Sequence, residues 1–190
     1  MRTAAFVMFA GLVCAAAGQS GDDFKEMAAP ALPFYDWGAC PYETCAYAQS
    51  WTAHKAVTLY DTWKAGRRAI GQLAAGDRVT GVTGVVVTAK PGVIRLDRDV
   101  ARQNLKRGDT LLTYANRGEG YSAVWFKGRY YASFDVSFAK LLNGTGCGGD
   151  HCAGTFVDAG NHVWWAQVKL ASGQTAWAEM DLGEVPVALY

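Results

Sequence analysis

From Trp51 onward, apolar and polar positions alternate in short runs, and few windows show the recurrence of an amphipathic helix. Val, Thr, Tyr and Trp are plentiful and Gly recurs at short spacing, the composition of strands with one buried face. The alternation is clearest in "AHKAVTLYD" (residues 53–61) and "DRVTGVTGVVVT" (77–88). "SAVWFKGRYYASF" (122–134) predicts a hairpin turning at Lys127 and Gly128, and "WWAQVKLASGQTAWAEM" (164–180) another turning near Ser172 and Gly173. "RLDRDVARQNLKRGD" (95–109) is a polar interruption with some helical character, its charges a solvated face. "NRGEGY" (116–121) reads as a Gly-flanked acidic loop tip. The expected class is all-β.

The N-terminus breaks this pattern. "MRTAAFVMFAGLVCAAAGQSGDD" has one Arg, an uncharged apolar stretch, small residues and then a polar run, the organisation of a secretory signal over residues 1–18. The stretch falls short of the ~20 apolar residues of a membrane span, and no later segment reaches that length. Bulky Val13 precedes Cys14, which argues against lipid attachment there. Residues 19–50 form a leader expected to pack only at its end, through Phe34, Tyr35 and Trp37. Residues 51–182 form the β region, and 183–190 a C-terminal tail.

An internal repeat refines the picture. "LAAGDRV" (73–79) and "LKRGDTL" (105–111) share the form L-x-x-G-D-x-aliphatic. The Leu is expected to anchor a core, the Gly to take a positive φ, and the Asp to bond the backbone of its own turn. The two hairpins echo each other as well: Tyr121, Val124 and Gly128 match Trp165, Val168 and Gly173. Two motifs, each occurring twice in the same order, point to duplicated small barrels.

Charge and cysteines set the compartment. The chain carries 18 basic and 17 acidic residues, and loss of Arg2 with the signal would balance them. A balanced chain has no broad attraction to nucleic acid or to anionic membranes, so neither is expected as a partner. Removal of the signal also removes Cys14, leaving Cys40, Cys45, Cys147 and Cys152. Three chemistries compete for "CPYETC" and "CGGDHC". A zinc site would draw on these cysteines with His54 or His151, but both pairs have four intervening residues, at the edge of the usual spacing. A catalytic centre would pair Cys147 or Cys152 with His151 or His162, yet no segment supplies the helix that presents such a nucleophile. Disulfides suit an exported chain and would restrain the glycine-rich stretch 144–152. Bridges within each pair are favoured and a crossed pairing is the rival; no catalytic residue, metal or cofactor is expected.

The residues resemble bacterial SH3 domains, which open on an aliphatic-aromatic strand followed by "aliphatic-G-x-L-x-x-G-D-x-V" and close on "W-x-x-V-x-x-x-x-G-x-x-x-W". Here the opening half is "VTLYDTWKAGRRAIGQLAAGDRVTGV" (57–82) and the closing half "WWAQVKLASGQTAWAEM" (164–180). A second copy, residues 105–134, lies between them, and Ala176 stands where the family usually has Gly. The resemblance implies one or two small SH3-like barrels, in tandem or nested, with a disulfide-pinned N-terminal leader. It also implies an exported, periplasmic or extracellular, non-catalytic binding module of the bacterial envelope. Such modules take a peptide, protein or cell-wall component in an aromatic groove. Tyr60 matches the family's groove aromatic, and Trp63 lies in the loop that follows. Adjacent strand residues face opposite ways, so one of Trp164 and Trp165 is expected half exposed, and Trp164 is the third groove candidate. The alternatives are a structural or assembly protein of the envelope and, behind it, a Cys-His hydrolase of cell-wall peptides.

Overall fold

A computed structural model of the protein describes residues 27–41, 45–180 and, in backbone, 187–189. The expected signal at 1–18 lies outside the described residues. The described chain is all-β, with two sheets, one of them a half-barrel, and no α-helix among the described residues.

In chain order the strands begin with β1 (Phe34–Trp37), β2 (Ser50–Ala53), β3 (Val57–Tyr60), β4 (Ala69–Leu73) and β5 (Arg78–Lys90). Then come β6 (Gly92–Leu96), β7 (Thr110–Gly118), β8 (Tyr121–Phe126), β9 (Arg129–Asp135), β10 (Ala139–Lys140) and β11 (Gly154–Asp158). β12 (Asn161–Lys169), β13 (Thr175–Met180) and β14 (Val187–Leu189) follow. The expected hairpins are β8–β9 and β12–β13, turning where Lys127, Gly128 and Gly173 take positive φ. The polar interruption holds a single 3-10 turn, Ala101–Gln103.

The first sheet has the order β14-β2-β5-β12-β13-β3-β4, with β1 also on β5, and the second β10-β11-β6-β7-β8-β9. Every strand of the second sheet lies in the chain between β5 and β12, which pair with each other along most of their length. As sheets, the two are therefore nested. The expected C-terminal tail also contributes structure, since β14 pairs with β2.

The sequence repeat is a repeat of hydrogen bonds. Ala74 N–H donates to the Asp77 carboxylate at 2.8 Å, and Lys106 N–H to that of Asp109 at 2.8 Å. Gly76 and Gly108 take φ of 93° and 86°, while Leu73 and Leu105 are buried. Each turn is also clamped to the end of an earlier strand. Gly76 N–H bonds the Ala53 carbonyl and Ala53 N–H the Asp77 carbonyl; Gly108 and Asp109 make the same two bonds with Leu96.

Two cores follow. One gathers Trp51, Val57, Leu59, Leu73, Trp164 and Val168, the other Ile94, Leu96, Leu105, Leu111, Val124 and Phe138. Each buried side chain of this size contributes about 1.5–3 kcal/mol. Glycines inside β5 make room for the indoles. A Cβ on Gly81 would lie 2.5 Å from Cε2 of Trp51, and one on Gly84 would lie 2.7 Å from Nε1 of Trp164.

The leader does more than end on the fold. Phe34 packs on Tyr114 and Tyr130, with ring centroids at 5.2 and 5.8 Å, joining the first sheet to the second. Asp36 receives both terminal nitrogens of Arg117 from β7, one of them at 2.9 Å, in a bidentate and largely covered pair. Cys40 is bridged to Cys45 and Cys147 to Cys152, with Cα separations of 5.4 and 5.2 Å, so the pairing is local. These bonds occupy the sulfurs that a zinc site or a cysteine nucleophile would need.

Candidate functional site

Strand register fixes which side chains share the outer face of the first sheet. Trp37 and Tyr35 of β1 stand opposite Val85 and Val87 of β5, and Val85 stands opposite Trp165 of β12. Trp165 pairs with Glu179 of β13, and Trp177, two residues earlier, pairs with Tyr60 of β3. Directly paired residues point to one face, so a row of aromatic side chains crosses five strands. Val85 and Trp165 are buried but belong to neither core cluster, because the aromatic layer itself covers them.

The loop between β3 and β4 completes the layer. Its base is clamped by Asp61, whose carboxylate accepts from the Arg68 backbone N–H at 2.9 Å and from its Nε at 3.0 Å. Those bonds, the backbone one foremost, hold the Asp61 carboxyl below its ordinary range. The clamp places Trp63 edge-on to Tyr35 and Trp37, both at 5.5 Å, with Trp177 at 6.4 Å. It also lays the Arg67 guanidinium over Trp165 at 4.6 Å and Tyr60 at 5.3 Å. Arg67 has a second, looser contact with Glu179 at 3.6 Å, which at this exposure contributes little.

Tyr60 and Trp63 thus fall on one face, both half-buried. Trp164 does not join them. The expectation that one of the adjacent tryptophans would be half exposed is corrected: Trp164 is 1% exposed and Trp165 4%. They do point to opposite faces, but Trp164 packs against Trp51 at 6.3 Å in the core. Trp165 lies on the outer face and is roofed by Tyr60 and Arg67. The exposed members of the layer are Trp37, at 58%, and Tyr35, at 43%, from the leader.

Sequence reasoning missed Trp165, Trp177 and Arg67 as members of this face. A signal was available for Trp177, which has the alternation parity of Trp165 across the β12–β13 turn. None was available for the β1–β5 pairing that brings in Tyr35 and Trp37. The face offers ring surfaces for stacking and a part-exposed guanidinium, that of Arg67, as a donor for carboxylates or carbonyls. No family model, curated protein or solved structure matches the chain.

Proposed function

We propose that the protein is a non-catalytic binding module of the bacterial envelope or exterior, whose outer aromatic face takes a peptide, protein segment or cell-wall component. One observation carries this reading: an aromatic layer outside both cores, with Trp37 and Tyr35 left open to solvent. Rigid aromatic side chains give large contact area at low entropic cost, and exposed clusters of them mark interaction surfaces. The local disulfides are compatible with an oxidising compartment. The clamped turns and the β12–β13 hairpin form at the motifs on which the resemblance to bacterial SH3 domains rests, and support it to that extent.

The test is co-sedimentation of the purified protein with isolated cell wall, alongside capture from an envelope extract. The Trp37→Ala/Trp63→Ala double variant should lose binding while its circular dichroism spectrum stays native. Retention of full binding by that variant would refute the reading. Concentration-dependent self-association abolished by the same substitutions would instead favour an assembly role.

A further inference from the structure

The aromatic face carries charge as well as rings, and the balance is positive. "DTWKAGRR" (61–68) holds three basic residues and one acidic residue. Asp61 and Arg68 bond each other, which leaves Lys64 and Arg67 to the face. Lys64 Nζ lies 5.8 Å from the Trp63 ring centroid. Lys169 has the alternation parity of Trp165 on β12 and stands on the same side of the sheet. Against these three cations register sets the carboxylate of Glu179, opposite Trp165. All four charged side chains belong to exposed residues.

Arg67 is held differently from its neighbours in charge. Arg68, Arg102 and Arg117 each donate to a carboxylate. Arg67 is fixed by rings instead, with Trp165 at 4.6 Å and Tyr60 at 5.3 Å. Its contact with Glu179, at 3.6 Å, is too long for a hydrogen bond, and its guanidinium makes none among the described residues. Ring contacts fix the group without committing an N–H to an oxygen acceptor. A guanidinium positioned in this way suits a planar acceptor with two oxygens, and being held in advance it loses less entropy when one arrives.

The rings narrow the kind of molecule that brings this acceptor. Trp63 meets Tyr35, Trp37 and Trp177 at interplanar angles of 64°, 80° and 59°. Rings inclined so steeply present no flat platform along which a chain of sugars could lie. They suit single apolar side chains set among them. We infer, resting on the binding role proposed for this face, that its partner is an acidic peptide. A side-chain carboxylate of that peptide bonds Arg67, and a neighbouring apolar side chain packs on Trp63. Arg67 is then the residue that sets specificity.

The probes are the blocked peptide acetyl-Gly-Glu-Phe-Glu-Gly-amide and its analogues with Gln or Lys in place of both Glu, titrated into the full chain and followed by indole N–H NMR shifts. The Glu peptide should shift Trp63 and Trp177 saturably. The Gln peptide should bind about fivefold more weakly, the upper end for a part-exposed ion pair, and the Lys peptide more weakly still. Arg67→Gln should erase the preference for Glu over Gln while its circular dichroism stays native. Glu179→Gln removes the competing carboxylate and should tighten the Glu peptide about twofold. Four outcomes overturn the inference: no saturable shifts with any peptide, equal affinity for the Glu and Gln peptides, an unchanged preference in Arg67→Gln, or weaker binding of the Glu peptide to Glu179→Gln. The face itself stands or falls separately, on whether the Trp37→Ala/Trp63→Ala protein loses its binding to cell wall or extract.

Discussion

Replacement of Trp164 by Ala separates the core from the binding face most sharply. The indole is 1% exposed and packs on Trp51, over a space that Gly84 leaves open. Truncating a buried Trp typically costs about 3–5 kcal/mol, the transfer term plus the cavity left behind. For a chain of this size each kcal/mol lowers Tm by roughly 2–4 °C, so a fall of about 6–20 °C is expected. Trp37→Ala is the counterpart. Its side chain is mostly in water and its ring contact is with Trp63, worth about 0.5–1.5 kcal/mol, which lowers Tm by a few degrees. The assay is paired thermal and urea denaturation with disulfides intact, followed by wall or extract binding of the folded protein. Trp164→Ala should lose stability and Trp37→Ala should lose binding. A Trp164→Ala protein destabilised by less than about 1 kcal/mol would refute the core assignment.

Three further outcomes are expected. Gly84→Ala should cost about 1–3 kcal/mol or more, read as a lower urea midpoint, because its methyl would meet Trp164 and the Trp165 carbonyl oxygen at 2.9 Å. Burial makes His162 bind protons less readily folded than unfolded, so stability is complete above about pH 6.5 and falls as pH drops through the window below it. Tm against pH should show that slope in the native chain and a flatter one in His162→Asn. Removing the Cys147–Cys152 bridge as a double Ala variant should cost about 2 kcal/mol, the loop entropy of a short ring, measured by urea unfolding.

What was legible in the chain was local. The Gly-Asp turns at 76–77 and 108–109 are set by residues adjacent in sequence, and both form as their composition requires. The β8–β9 and β12–β13 hairpins were readable for the same reason. Alternation established that Trp164 and Trp165 face opposite ways, but it carries no information on which face is the core. That choice rests on distant partners: Trp51 and the glycines of β5. The leader strand was hidden because "FYDW" is short, preceded by prolines, and patterned only once it pairs with β5.

The most direct measurement of the binding face follows the indole N–H resonances as host cell-wall fragments or envelope extract are titrated in. Trp37, Trp63 and Trp177, on the outer layer, should shift and saturate together, while the core indoles Trp51 and Trp164 stay still. Movement of the core pair with a silent outer layer, or no movement of any indole at saturating partner, would contradict the account.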